Sequence, residues 1–332
     1  MWSLLTASYL SGLFLDGCLR DGIRVYCYHG VVESKADSRL ERNFHRLSDF
    51  RDHLRFLSRF RVLSLAEIHD RLSTPGKQRK PAVAITFDDG YANNLLAAEL
   101  LSDFNLPWAV FVSTGNIDQE RTIPLVELSL LLLHGNALKL EALGHTFPLR
   151  SDEERAEAFQ AIRKKLKTVP STVRRVSMDH IAHQFPDGEI ERLLNKFPSL
   201  RLMSWEQTRR LADSGVEIGS HGVDHEIHHN AQPRAVRIHE LTESRVELEA
   251  RLDRSCRFFA FPNGNYGKSS SSEVKNAGYE LAFTTRAGTV VPGADQFLLP
   301  RLDPPASLTG LTRDFFWSSR RQKADLHLQT AV

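Results

Sequence analysis

The chain has 332 residues, 41% of them hydrophobic and 25% charged, enough to bury a full core as one large α/β domain or two smaller ones. A formal net charge of +2 gives no concentrated basic surface, so composition makes no case for nucleic acid as a partner. Cys18, Cys27 and Cys256 are odd in number, widely spaced and without a Cys-x-x-Cys pair, which argues against a disulfide framework.

In chain order, Met1 to Leu15 is apolar, and Leu15-Asp16-Gly17-Cys18 has the outline of a lipoprotein cleavage site. No Lys or Arg precedes the run, and Asp16 stands where a small neutral residue is wanted. Residues 1–22 are therefore read as a short helical segment packed on the domain, and a cytoplasmic location is expected. No segment reaches the ~20 uninterrupted apolar residues that span a bilayer. Ile23 to Tyr28 alternates as a strand does and ends at His29-Gly30. Phe50 to Phe60 sets Phe50, Leu54 and Leu57 on one helix face.

Pro81 to Phe87 reads as a buried strand feeding Asp88-Asp89-Gly90, and a helical pattern follows from Asn93 to Phe104. Two adjacent carboxylates repel unless a cation or a shared proton relieves them. A metal held by one would leave its neighbour free to act as a base. The plainer alternative is a turn in which Asp-Asp-Gly caps the next helix. Pro107 to Val112 makes another buried strand, and strands alternating with helices in this way point to a parallel sheet, open or closed.

Residues 116–202 break the rhythm. Leu125 to Leu133 is strongly apolar, whereas Asp152 to Lys167 and Asp187 to Lys196 are charged and helical in pattern. The region is read as a mainly helical insertion whose apolar stretch packs against the strand-and-helix domain, a barrel if the sheet closes. A contact with a membrane surface or a role as a substrate lid stays open.

Met203 to Ser214 then reads as helix, and Val216 to Gly219 as a strand running into Ser220-His221-Gly222-Val223-Asp224-His225. A His-x-x-x-His spacing brings two imidazoles to one side of a turn, close enough to share a metal. With Asp89 they supply two nitrogens and one oxygen, a set that suits zinc with a position left for water and that also suits iron(II). A long amphipathic helix from Pro233 to Arg254 follows. Then come a strand at Arg257 to Phe261, a helix at Ser272 to Ala277, and strands at Tyr279 to Thr284 and Phe297 to Leu302. Residues 304–332 form a polar tail.

Taken together, Thr86-Phe87-Asp88-Asp89-Gly90, Ser220-His221-Gly222-Val223-Asp224-His225 and Phe259-Ala260-Phe261-Pro262-Asn263-Gly264 resemble the three motifs of the polysaccharide deacetylase family, carbohydrate esterase family 4. The third motif is a variant form. The resemblance spans roughly residues 23–303, interrupted by the insertion. It implies an α/β fold, a distorted (β/α) TIM-like barrel, and polar motifs at the carboxyl ends of strands are where barrel enzymes assemble their sites. It also implies a hydrolase acting on C–N bonds other than peptide bonds, which removes N-acetyl groups from amino sugars. The substrate would be an acetylated polysaccharide or glycan, or its lipid-linked precursor. Asp88 would be the base, Asp89, His221 and His225 would hold a divalent metal, with zinc the first choice, and the backbone N–H of Asn263 would serve the oxyanion.

The chain departs from the family pattern in two places. Ala260-Phe261-Pro262 stands where many members have an arginine that orients the base. Arg301 is a candidate replacement but reads more simply as a surface cation. The late Leu-x-x-His acid is not recognisable, and His327 in the tail is a poor substitute. His29, at the end of the first strand, is the candidate acid, as an early histidine is in a related branch of the family; the competing reading is a hydrogen bond within the core. His228 and His229 crowd the metal motif as alternate ligands. The alternatives to an active enzyme are a carbohydrate-binding relic of the same fold and, more remotely, an iron-dependent redox enzyme.

Overall fold

A computed structural model describes residues 22–74, 82–119 and 121–316; the readings made for residues 1–21 and for His327 fall outside them. Strand β1 (Ile23–Tyr28) is buried along its whole length, as a parallel strand covered on both faces must be. Strands β2 (Gly30–Val32) and β3 (Phe44–Arg46) pair with each other beside it. Helix α1 (Leu47–Leu57) buries Phe50, Leu54 and Leu57, the face expected from the spacing. After β4 (Arg61–Val62), helix α2 (Leu65–Ser73) starts at a capping box made by Ser64 and Glu67. The Glu217 carboxylate accepts from the backbone N–H groups of Leu65 and Ala66 at 2.6 and 3.0 Å, so this helix start is tied to a distant strand. Strand β5 (Ala82–Phe87), helix α3 (Asn94–Asp103) and strand β6 (Ala109–Val112) complete the first half.

The next stretch holds α4 (Thr114–Asp118), α5 (Pro124–His134), the hairpin β7 (Lys139–Ala142) and β8 (His145–Pro148), and helices α6 (Asp152–Leu166), α7 (Ser171–Ala182) and α8 (Glu189–Lys196). The hairpin is not foreseen in the sequence reading. Its turn, Leu143-Gly144, takes positive φ at both positions, the geometry of a two-residue hairpin turn, but lacks the Asn-Gly signature that would announce it. The apolar run also packs differently from expectation. Seven consecutive residues of α5, Glu127 to Leu133, are buried, and the leucines lie chiefly among Leu140, Ala158, Ile162 and Leu193 of the same region rather than against the barrel. A helix apolar on all sides needs cover all round, and one barrel face cannot supply it.

The barrel resumes with α9 (Trp205–Asp213), β9 (Glu217–Ser220), α10 (Arg234–Leu252), β10 (Phe258–Ala260), α11 (Ser270–Asn276), β11 (Leu281–Ala287) and β12 (Leu299–Arg301). The strands run parallel in the order β1-β5-β6-β9-β10-β11-β12, with β4 beside the start of β5. Leu302 N–H donates to Val25 O at 2.8 Å and Cys27 N–H to Leu302 O at 3.0 Å, so the last strand meets the first and the barrel nearly closes. Its interior is filled by alternate residues such as Val25, Ala84, Ala109, Phe111, Ala260, Phe283 and Leu299. Among the described residues no helix is long and apolar enough to cross a membrane.

Candidate active site

The two adjacent aspartates are turned apart by the way β5 ends. Asp88 N–H still donates to Tyr28 O at 2.9 Å, so Asp88 continues the strand and shares the inward side of Ala82, Ala84 and Thr86. Asp89 then takes φ 71° and Gly90 φ 75°, which breaks the strand and swings the second carboxylate elsewhere. A Cβ at Gly90 would lie 2.7 Å from Val112 Cγ1, so the turn admits only glycine.

Asp88 meets a partner that the sequence reading underrated. Arg301 is 1% exposed, not a surface cation. It donates from Nη1 to Oδ1 at 2.7 Å and from Nη2 to Oδ2 at 2.5 Å, a two-point fork on one carboxylate. Its Nε donates to Thr284 O at 3.0 Å, and the rings of Phe111 and Phe283 lie 5.7 and 5.9 Å from the guanidinium carbon. Burial alone would raise the Asp88 carboxyl, but the charges of Arg301 and His221 outweigh it and hold the group down at about 2. Asp88 is therefore ionised throughout the neutral range. Cys27 adds a weak S–H donor to Oδ2 at 3.3 Å. These three donors leave one of the carboxylate's roughly four acceptor positions, on Oδ1.

Asp89, His221 and His225 converge. The Nε2 atoms of His221 and His225 lie 3.4 and 3.3 Å from the same Asp89 Oδ1. Ligands about 2.0–2.1 Å from a tetrahedral ion stand about 3.3 Å from one another, so the three atoms are spaced to share one cation. His221 Nδ1 lies 2.7 Å from Ala260 O. A carbonyl can only accept, so Nδ1 carries the hydrogen and Nε2 presents its lone pair towards Asp89. The residues present thus fit a divalent metal in number and spacing, and His221 also in tautomer.

The loop bearing both histidines is gathered from behind by Glu240 of α10. This buried carboxylate accepts from the backbone N–H groups of Val223, Asp224 and Glu226 at 3.0–3.2 Å. It lets the chain turn tightly enough for His225, at φ 58°, to face His221 with ring centroids 4.9 Å apart.

The other expected residues lie around this centre. His29 follows β1 and stands near Asp88; a side-chain atom of each, with Cys27 Sγ, fits within 4.8 Å. That second trio is a poor cation site, because Arg301 already occupies both Asp88 oxygens. Asn263 sits at φ 55° in the short turn Pro262–Gly264 after β10, and a Cβ on Gly264 would fall 1.9 Å from Thr285 Oγ1. A cavity of about 340 Å³ is lined by His29, Asp88, Asp89, His221, His225 and Asn263 together. A second cavity of about 480 Å³ shares His225 and Asn263 with it.

His228 lies apart from the Asp89 trio, buried with Phe259 and Phe261 ring centroids each 5.5 Å away. Burial pushes its imidazole down to about 3, so it is neutral packing. The sequence reading missed Glu240 and the Ala260 carbonyl, and it set Arg301 as a partner of the base below a surface cation. For Arg301 a signal exists: strand parity puts it on the side of Leu299, inside the barrel, opposite Leu298 and Leu302.

A family model described as polysaccharide deacetylase matches residues 75–282. Among curated proteins none matches this chain. Several solved structures resemble it. A Streptococcus pyogenes deacetylase, PplD, in complex with acetate aligns at TM-score 0.59 with 16% identity, over 89% of this chain and 98% of its own. IcaB from Ammonifex degensii aligns at 0.57 with 19% identity, over 90% and 97%. A de-N-acetylase from Aggregatibacter actinomycetemcomitans aligns at 0.53 with 16% identity, over 89% and 100%. At these identities the likeness establishes the fold.

Proposed function

The chain belongs to the polysaccharide deacetylase family, and on that premise we propose that it is a metal-dependent hydrolase that removes N-acetyl groups from the amino sugars of a polysaccharide or its lipid-linked precursor. The observation that carries this reading is the division between two adjacent carboxylates. Asp88 is locked to Arg301 with one acceptor position left, while Asp89 faces the Nε2 atoms of two histidines.

Asp89, His221 and His225 would hold the metal, with zinc the first choice for two nitrogens and one oxygen. When bound, a divalent cation polarises the acetyl carbonyl and lowers the pKa of a water. The free position on Asp88 Oδ1 takes a proton from the attacking water as its oxygen bonds to the acetyl carbon. The backbone N–H of Asn263, presented by the turn after β10, donates to the oxygen that gains negative charge. His29 delivers a proton to the amide nitrogen as the C–N bond breaks, leaving acetate and a free amine. Proton exchange then restores Asp88 and His29.

The rival reading, a carbohydrate-binding relic, rested on the missing arginine and the missing late histidine. The fork of Arg301 on Asp88, from a different strand, and the nearness of His29 to Asp88 favour the enzyme over the relic. Acetate release from a panel of N- and O-acetylated glycans, with and without chelator, tests the proposal. Release that chelator abolishes and metal restores is expected. No release from any glycan by metal-loaded protein would leave the relic.

A further inference from the structure

The catalytic cavity carries cations that no step above uses. Arg42, between β2 and β3, and Arg163, in the last turn of α6, both line it. Arg163 also lines the larger cavity, where Lys167 joins it. Arg163 therefore stands at the junction of the two spaces, on the side that also holds His225 and Asn263. Its guanidinium carbon lies 5.7 Å from the Phe159 ring centroid, a contact that restrains the plane of the fork.

Neighbouring cations on the same walls have acids of their own: Arg39 has Asp37 and Asp152, Arg121 has Glu127, and Arg174 has Glu226. Arg42, Arg163 and Lys167 form no ion pair with a carboxylate among the described residues. They act on one another instead. Burial and then Arg42 lower the Arg163 guanidinium, while burial, Arg163 and Arg42 lower the Lys167 ammonium. Arg163 and Lys167 are half-buried and Arg42 is exposed, and like charges brought near one another cost free energy until an anion joins them. In the adjacent centre Arg301 neutralises Asp88; of the acids that line the larger cavity, Glu226 is paired with Arg174, and Asp179 and Asp224 act on Arg121.

We propose that Arg42, Arg163 and Lys167 form a subsite for a phosphate ester carried by the acetylated glycan beside the sugar whose acetyl group enters the cavity. The inference rests on the deacetylase reading and names its substrate class. Three cations, two of them with forked donors, match a doubly charged phosphate with three free oxygens better than a singly charged carboxylate. The phosphate lies at the junction while the acetyl group reaches Asp88 and Asn263, so the ester and the amide belong to the same or adjacent sugar units.

The test is calorimetric binding to the metal-loaded full chain, with N-acetylglucosamine 1-phosphate, neutral N-acetylglucosamine, the corresponding N-acetylated uronic acid, and inorganic phosphate as probes. The sugar phosphate is expected to bind at least about tenfold more tightly than the neutral sugar, in keeping with two or more charge-assisted hydrogen bonds. That preference should fall by about 10- to 100-fold in the Arg42→Ala, Arg163→Ala double variant, with Arg163→Lys recovering part of it. Circular dichroism and metal content confirm that the variants fold. Equal affinity for phosphorylated and neutral sugar, or a preference unchanged in the double variant, overturns the subsite. Inorganic phosphate binding as tightly as the sugar phosphate would show a free-anion site instead. A uronate binding equally well would replace the phosphate by a carboxylate. Acetate release is scored separately: its absence with the binding preference intact sinks the deacetylase reading alone.

Discussion

At the scale of single residues, the proposed chemistry depends on a buried ion pair. Neither Asp88 nor Arg301 is stable at its depth alone, and removing one leaves the other as an uncompensated charge, a loss of about 3–5 kcal/mol. Arg301→Ala should therefore lower unfolding free energy by that order in a urea titration. The same variant carries a pH signature. Burial raises the Asp88 carboxyl, and Arg301 is the largest of the charges that lower it, so without Arg301 the upward push of burial is opposed less. The base then protonates at higher pH, and the acid limb of the kcat/KM profile should move upward. A limb that stays in place would remove Asp88 from the role of base. Asp88→Asn should keep its metal and lose about 10²–10⁴-fold in turnover, since it deletes a base and not a ligand. Asp89→Asn should lose metal first, and equal metal loss from the two by elemental analysis would contradict the division. His29→Ala should cost a similar 10²–10⁴-fold, the range of a lost general acid, at unchanged metal content. Full turnover in that variant would make water the proton source.

At the scale of elements, each site residue is aimed by the way a strand stops. Asp89 leaves β5 through a glycine turn pressed against Val112, and Asn263 leaves β10 through one pressed against Thr285. The His221–His225 loop has no such local device and borrows Glu240 from the following helix. Replacing Glu240 with Ala frees the three backbone N–H groups it binds and lets the two imidazoles drift. Metal affinity, read by competition with a chelator, should drop about tenfold or more, as for other residues that support ligands from behind. Affinity equal to wild type would mean the loop holds its shape unaided.

At the scale of the molecule, the barrel and the helical region are built around separate apolar clusters but share the cavity between them. Tyr91, two residues beyond Asp89, belongs to the cluster of the helical region, so the Asp88-Asp89-Gly90 turn is held from that side as well as by β5. Leu131 is buried among α5, α6 and α8, and Leu131→Ala should cost about 2–5 kcal/mol in unfolding free energy through the cavity it leaves. A loss below about 1 kcal/mol in urea unfolding would show that the helical cluster adds little to overall stability.

The sequence by itself determined what depends on neighbours along the chain. Alternating strands and helices, Asp88-Asp89-Gly90 at a strand end and the His221–His225 spacing are set by local backbone preference and side-chain chemistry, so they can be read in order. Tertiary structure alone decided what depends on closure. Arg301 reaches Asp88 across 213 positions because β12 returns beside β1 and strand parity turns the arginine inward. The alternation is visible in the sequence, but which face is the interior is known only once the barrel closes. Glu240, Ala260 and the cationic junction of Arg42, Arg163 and Lys167 have the same origin, since each joins segments that meet only through packing.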